Sequence, residues 1–330
     1  IPVPVTLTAL FDLNKQDNVL VPRKYELVYT RLVFFIIVHL GGLYGAYLFF
    51  TKAKWQTCLC AYLTFLCTAI SVTAGVHRLW THRAYKAKLP LQIILMAFYT
   101  MAFQDSIIVW VRDHRVHHKY SDTDADPHNS RRGFFFSHIG WLVVSKHPDF
   151  NIKRKSIDMS DLWNDPLVKF QHYIPLALLL AVIIPTYIPT LWGEKVSVAF
   201  FVTVLFRYIF TLNVTCLVNS AAHMWGDKPY DSKIPPGEIS VVSFITVGEG
   251  FHNFHHTFPW DYRAAELGGY CLNWTRLFLD FMAKIGWAYD LKAATEEMIE
   301  SRVKRTGDGS HPVWGWGDKD ITDRNAWRIA

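Results

Sequence analysis

The sequence predicts an all-α integral membrane protein, with four transmembrane helices in two hairpins and water-facing segments on one side of the bilayer. Three observations predict it. Apolar types make up 51% of the 330 residues and charged types only 19%, against about 25% charged in soluble domains. Four apolar stretches each approach the ~20 residues needed to cross a bilayer. Nine of the 15 histidines fall in four tight clusters just outside those stretches.

Residues 1–31 are expected to form a cytosolic N-terminal segment. Ile1 opens the sequence without a methionine, so residues before it are expected. No apolar run stands beside a basic segment in 1–30, so no cleaved signal peptide is expected. The first hairpin occupies 32–76, with helices over Leu32–Phe50 and Trp55–Val76 joined by Thr51–Lys54. The second occupies 172–218, with helices over Tyr173–Trp192 and Val196–Val218 joined by Gly193–Lys195. Pro175, Pro185 and Pro189 should kink the third helix, which bilayer helices tolerate. Between the hairpins, 77–171 carries 14 Lys or Arg; the last segment, 219–330, carries 12. The basic segments are expected in the cytosol, and Arg23, Lys24 and Arg31 before the first helix agree. Both termini then lie inside. Leu91–Val111 is apolar apart from Gln104 and Asp105. As a fifth span it would place the histidines before and after it on opposite faces, so it reads as an in-plane helix over 91–111. The stretch 307–328 reads as a loop-rich tail.

The four histidine clusters are His77 with His82, His114 with His117 and His118, His223 after Asn219, and His252 with His255 and His256. Membrane parity brings all of them to one face. In HxxHH the first and second histidines share a helix side, while the third lies about 100° further round. Neighbouring histidines therefore point to different places, which suits two metals. Asn219 and His223, four apart, share a side. His77 and His82, five apart, do not keep one side of an α-helix, so a helix break or two metals is implied. Imidazole suits zinc, copper, iron and nickel. Nine ligands are too many for one zinc, and two irons with an open position use nine naturally.

Several classes are excluded. Five cysteines without a CxxC form neither a disulfide framework nor a thiolate zinc site and read as packing residues. A net charge of +6 without a long basic run gives no nucleic-acid footprint. HExxH, GxxxxGK[ST], a GxGxxG after a strand and GxSxG are all missing. No flavin, nicotinamide or ATP site is evident, so electrons must come from outside.

The boxes HRLWTH (77–82), HRVHH (114–118) and HNFHH (252–256) resemble those of membrane fatty-acyl-CoA desaturases, more closely the stearoyl-CoA desaturase family in its insect form. TAGVHRLW (73–80), ADPHNSRRGFFFSH (125–138), LVNSAAH (217–223), GEGFH (248–252) and RTGDGSHPVWGWG (305–317) support the likeness. The resemblance implies four transmembrane helices under a cytosolic helical cap that holds a histidine-rich di-iron site. It implies O2, a fatty acyl-CoA substrate, a cis double bond placed at Δ9 by default, and two electrons from cytochrome b5 and its NADH-dependent reductase. It also implies the endoplasmic reticulum membrane. The heme-binding HPGG is missing, since His147-Pro and His311-Pro lack the glycines, so no heme is expected in this chain.

Carried over by position, the resemblance makes His77, His82, His114, His117, His118, His223, His252, His255 and His256 the iron ligands and catalytic set. Asn219 reaches one iron through water. Glu249, Asp122 and Asp126 are candidates to hold the outer imidazole nitrogens. Arg112, Asp113, Lys146 and Arg31 fall at the head-group end of the substrate, Trp110 and Gln104 along the acyl chain, and Phe65 and Ala69 at the closed end. Three positions depart from the family pattern. Ser145 stands where vertebrate relatives carry Arg, which leaves part of the head-group clamp unfilled. Arg31 replaces an Asn. Cys216 replaces a Trp, removing aromatic bulk from the wall and implying altered chain length or double-bond position. His39 reads as an interhelical hydrogen-bonding residue. His128, His138, His147, His172 and His311 read as structural or surface residues. A different regiochemistry such as Δ11, a hydroxylase on the same centre, and a histidine-rich metal transporter are the alternatives. The transporter would predict ionisable residues along the spans, where only His39 and Arg207 occur.

Overall fold

The computed structural model describes residues 9–13 and 20–315. Four helices are long and apolar enough to cross a membrane: Tyr29–Thr51, Trp55–Thr81, Ile174–Trp192 and Val196–Met224. All four expected spans are present. The second and fourth run past their expected ends, and these extensions carry His77 and His223. The remainder is largely short helices and loops. Among the described residues, strands are confined to an antiparallel pair, Ala9–Leu13 with Leu20–Lys24, and a two-residue pair, Lys86–Ala87 with Ala288–Tyr289. Residues 307–315 form the expected loop, and 316–328 of the expected tail lie outside the described residues.

The two short links meet. The carboxylate of Glu194, in the second link, accepts from the Lys54 backbone N–H and the Thr57 hydroxyl, both at 2.8 Å. Lys54 Nζ donates to the Trp192 carbonyl at 3.0 Å. Tying the links at one end sends the histidine-bearing ends of the second and fourth spans to the other.

The third span bends as its prolines require. It passes from α-helix through a π segment, Leu179–Ile183, to a 3-10 turn, Ile188–Trp192. Pro189 has no N–H to give the carbonyl four residues back. That carbonyl belongs to Pro185, and the Thr203 hydroxyl of the fourth span satisfies it at 2.6 Å. Within the bilayer a freed carbonyl needs such a donor.

The expected single helix over 91–111 is corrected. The chain forms Leu89–Ala102 and Ile107–Lys119, bent by 86°. Phe103 (φ +56°) and Asp105 (φ +74°) are left-handed at the break, a conformation that strains a bulky side chain. Ser106 caps the second helix by accepting from the Val109 N–H. The break lets one arm pack against the second span while the other carries His114, His117 and His118 to the centre. Trp80, Tyr85, Leu95, Tyr99, Ile107 and Leu279 fill the core between them. All five cysteines are free as expected, but Cys271 is exposed and is not a packing residue.

The first and fourth spans approach through glycines. A Cβ on Gly45 would lie 2.1 Å from the Phe201 carbonyl oxygen, whereas one on Gly41 would meet only the tip of Leu205. Small residues allow this contact between backbones. Gly45→Ala is expected to destabilise the protein by about 1–3 kcal/mol, and Gly41→Ala to be tolerated. Thermal midpoints of the detergent-solubilised variants test this, and equal midpoints for both would contradict the packing.

Candidate metal centre and adjoining cavity

The nine clustered histidines converge into two groups. His77, His82, His114, His118 and His255 form one; His117, His223, His252 and His256 form the other. One ring nitrogen of each member lies within 4.8 Å of the others in its group, so each group could hold a metal ion. His82, His118 and His256 are partly exposed and the other six are buried. The HxxHH pattern divides as its spacing requires. His117 and His118 part to different groups, as do His255 and His256.

The five-residue spacing of His77 and His82 finds another answer than a break or two metals. Ser71–Thr81 is a π-helix, whose hydrogen bonds run from i to i+5. The His82 N–H accordingly donates to the His77 carbonyl at 3.1 Å. Wider winding brings both rings into the same group, 4.8 Å apart.

Three of the outer nitrogens are held by carboxylates. His117 Nδ1 lies 2.8 Å from Asp126, His223 Nδ1 3.1 Å from Asp122, and His77 Nδ1 3.1 Å from Glu249. Arg78, itself buried, donates to the other Glu249 oxygen at 2.8 Å. Such partners fix the tautomer that leaves Nε2 as the lone pair. Burial, reinforced by neighbouring imidazoles, holds His82, His114, His118, His252, His255 and His256 well below the usual histidine range. These rings stay neutral, as a ligand must. For His117, burial acts downward, but Asp126 and Asp122 outweigh it and raise the group.

The donor set fits metal. In the five-histidine group Nε2 of His255 lies 3.0 Å from those of His77 and His118, and His118 lies 3.1 Å from His114. In the four-histidine group His252 lies 3.0 Å from His223 and 3.1 Å from His256. Two nitrogens bound at right angles to one ion at about 2.1 Å are about 3.0 Å apart, and at the tetrahedral angle about 3.4 Å. The short edges and the fivefold set favour a coordination number above the four of a structural zinc site.

A cavity of about 470 Å³ opens beside the first group. Arg31, Gln104, Trp110, Arg112, Asp113, Lys146 and Cys216 all line it. A smaller cavity of about 50 Å³ shares Trp110, His114, Thr215 and Asn219 with it and ends among Ala69, Val72 and Val214. The two adjoin at these shared residues, beside the histidines. Trp110 stacks on His114 at 4.7 Å. Phe65 lines neither cavity; it packs beneath Ala69 with its ring 4.9 Å from Phe210. The other histidines sit apart from the two groups. His39 Nε2 accepts from Asn213 of the fourth span at 3.4 Å, and His138 bonds Ser220 and Asn213. His128 is nearest, its ring 4.3 Å from His117 and its edge on the larger cavity.

Sequence reasoning missed Thr215, Phe150 and Arg154. Thr215 accepts from Gln104 Nε2 at 3.1 Å. Its signal was present: Thr211, Thr215 and Asn219 recur every four residues through an apolar span. Phe150 and Arg154 line the larger cavity from a short helix, Pro148–Lys153, and the 3-10 turn after it, both too short to show a sequence period.

Comparison with known proteins supplies the wider context. Residues 53–268 match the fatty acid desaturase family. The chain is 58% identical over 304 residues to an acyl-CoA Delta(11) desaturase of Trichoplusia ni, covering 91% of this chain and 87% of that protein. It is 57% identical over 303 residues to an acyl-CoA Delta-9 desaturase of Acheta domesticus, covering 91% and 84%. An acyl-CoA Delta12-desaturase from the same cricket is 54% identical over 303 residues, covering 91% and 85%.

The electrostatics set a pH dependence. Six histidines depressed below their ordinary 6.5 bind fewer protons folded than unfolded, so their contribution is present above about pH 6.5 and lost as pH falls. His117, which is raised, and Glu238, pushed up to about 8 by burial, act oppositely, two groups against six. The metal-free protein should therefore lose thermal stability between about pH 6.5 and 5, with net proton uptake on unfolding. A midpoint that is flat or rising as pH falls through that window would contradict neutral buried imidazoles.

Proposed function

Because the chain belongs to the fatty acid desaturase family, we propose that it is an acyl-CoA desaturase that uses two irons, O2 and two electrons to place a cis double bond in a saturated fatty acyl-CoA. The observation that carries this reading is the adjacency of two all-imidazole groups and an apolar cavity with a cationic mouth. His77, His82, His114, His118 and His255 would hold one iron. His117, His223, His252 and His256 would hold the other, with Asn219 reaching it through water. Neutral nitrogen donors suit iron, and irons bound there would supply O2 activation and the oxidising power needed to remove hydrogen from an unactivated C–H bond.

The protein's own residues do the rest. Asp122, Asp126 and Glu249 orient the imidazoles. Arg112 and Lys146, both paired to Asp113, would receive the head group. The hydrogen bond between Gln104 and Thr215 and the indole of Trp110 would set the course of the acyl chain beside His114. Apolar walls exclude water from the reacting carbons. Removal of two hydrogens from adjacent carbons, with O2, two electrons and two protons, gives one alkene and two waters. No electron carrier site is evident in this sequence, which supports cytochrome b5 and its NADH-dependent reductase as donors. The basic loops support an endoplasmic reticulum protein with both termini and the centre in the cytosol. Δ9 is the default position, with Δ11 as the alternative.

Expression in a desaturase-deficient yeast tests the assignment. New cis-monounsaturated acids are expected, located by mass spectrometry of derivatised double bonds, and hydroxy acids in their place would overturn it. Regiochemistry has its own test. Cys216 is buried in the cavity wall, so Cys216→Trp adds an indole there and should change the chain length or double-bond position of the product. An unchanged product spectrum would remove Cys216 as a determinant.

A further inference from the structure

The mouth of the larger cavity holds more positive charge than its carboxylates offset. Arg31, Arg112, Lys146 and Arg154 line it, with Asp105 and Asp113 as the acidic members. Asp113 is already shared. One oxygen accepts from Arg112 at 2.7 Å and the other lies 3.0 Å from Lys146 Nζ. Arg154 has no ion-pair partner among the described residues.

These cations are gathered by one ring. Phe150 is 1% exposed. Its centroid lies 5.6 Å from the Arg112 guanidinium, 5.3 Å from Lys146 Nζ and 6.0 Å from the Arg154 guanidinium. Lys146 also stands 4.4 Å over Trp141. An aromatic face attracts each cation, but three like charges around one ring repel each other. A single carboxylate between two of them leaves the third uncompensated. The group that completes such a cluster is an anion with several acceptor oxygens, and arginine's planar fork suits phosphate.

We propose that Arg154, gathered with Arg112 and Lys146 around Phe150, binds a phosphate of the substrate's nucleotide end. Phe150 acts as its positioning residue. The proposal rests on the acyl-CoA reading above and deepens it. Ser145, beside Lys146 in sequence, takes no part in the cluster. That residue is exposed and does not line the cavity, and its backbone N–H donates to the Glu26 carbonyl at 2.8 Å. Arg154 enters the lining from the 3-10 turn Arg154–Ser156. The neighbouring Lys153 and Lys155 are exposed and outside the cavity lining, so Arg154 alone of that basic triplet faces the site.

The test compares two thioesters of one fatty acid, the CoA ester and the pantetheine ester that lacks the nucleotide and its phosphates. Affinity for each is measured by titration calorimetry on the full-length protein in detergent. The wild type should bind the CoA ester more tightly. Arg154→Gln should weaken the CoA ester about tenfold and leave the pantetheine ester within about twofold. Arg154→Lys should recover part of the loss, and Phe150→Leu should weaken the CoA ester selectively. Lys155→Gln, on the same turn, should change neither. Equal weakening of both esters by Arg154→Gln, no weakening of either, or a wild type without preference for the CoA ester would overturn the proposal. If the selectivity appears but the wild type forms no alkene, the desaturase reading fails and the phosphate site stands.

Discussion

The rest of the structure depends on packing nine imidazoles into two groups with ring nitrogens as little as 3.0 Å apart, six of the rings held neutral by burial. Lone pairs so placed repel unless a cation lies among them, and protonation would replace that repulsion by a worse one. Burial supplies the bias toward the neutral form, and it prevails at the six rings without a carboxylate on Nδ1. Asp126, Asp122 and Glu249 supply the direction by occupying Nδ1. Glu249 is in turn held by buried Arg78, whose guanidinium also donates to the carbonyls of Tyr262 and Arg263. The orientation of a ring at the centre is thereby tied to backbone well outside it.

The membrane helices serve this arrangement by their ends. Clasping the two short links through Glu194 fixes one end of the bundle and leaves the other to deliver His77 and His223. Delivery then needs local departures from α-helical winding. The π-helix at Ser71–Thr81 places His77 and His82 in one group. The left-handed break at Phe103 and Asp105 turns the His114 helix through nearly a right angle. Left-handed backbone at bulky residues is costly and persists where the surroundings over-determine it, as the core around Tyr99 and Ile107 does here.

The spans were legible because bilayer solvation demands an apolar length that hydropathy reads directly. The histidines were legible as a set because spacing within each box and parity across the membrane point the same way. The parting of His117 from His118 needed nothing beyond helical angle. The break inside 91–111 was not legible, since Phe103 is an ordinary helix former and only Gln104 and Asp105 hinted at a turn. The five-residue spacing of His77 and His82 did signal a departure from α-helix, but π-winding costs no characteristic residue type and so left no further trace. Phe65 and Ala69 were placed at the closed end by resemblance; Ala69 lines the smaller cavity, and Phe65 packs against it without lining either cavity. Arg154 escaped notice because cation convergence on Phe150 is a property of the fold and carries no sequence period.

The centre and the cavity differ in how tightly each residue is constrained. A histidine in either group must satisfy a neighbouring imidazole and, for three of them, a carboxylate on Nδ1, so a change at one position disturbs several others. A wall residue such as Cys216 meets only packing demands on one side and empty space on the other. Volume can be added or removed there with little consequence for the imidazoles. Relatives more than half identical to this chain bear names that differ in double-bond position, from Delta-9 to Delta(11) and Delta12. If the cavity holds the acyl chain as proposed, the wall could accommodate such variation by changing which carbons lie beside His114 without altering the nitrogens of the two groups. On the proposed reading, the cationic mouth would fix one end of an acyl chain, and the course between Gln104, Thr215 and Cys216 would set how much of it is spent before the histidines are reached.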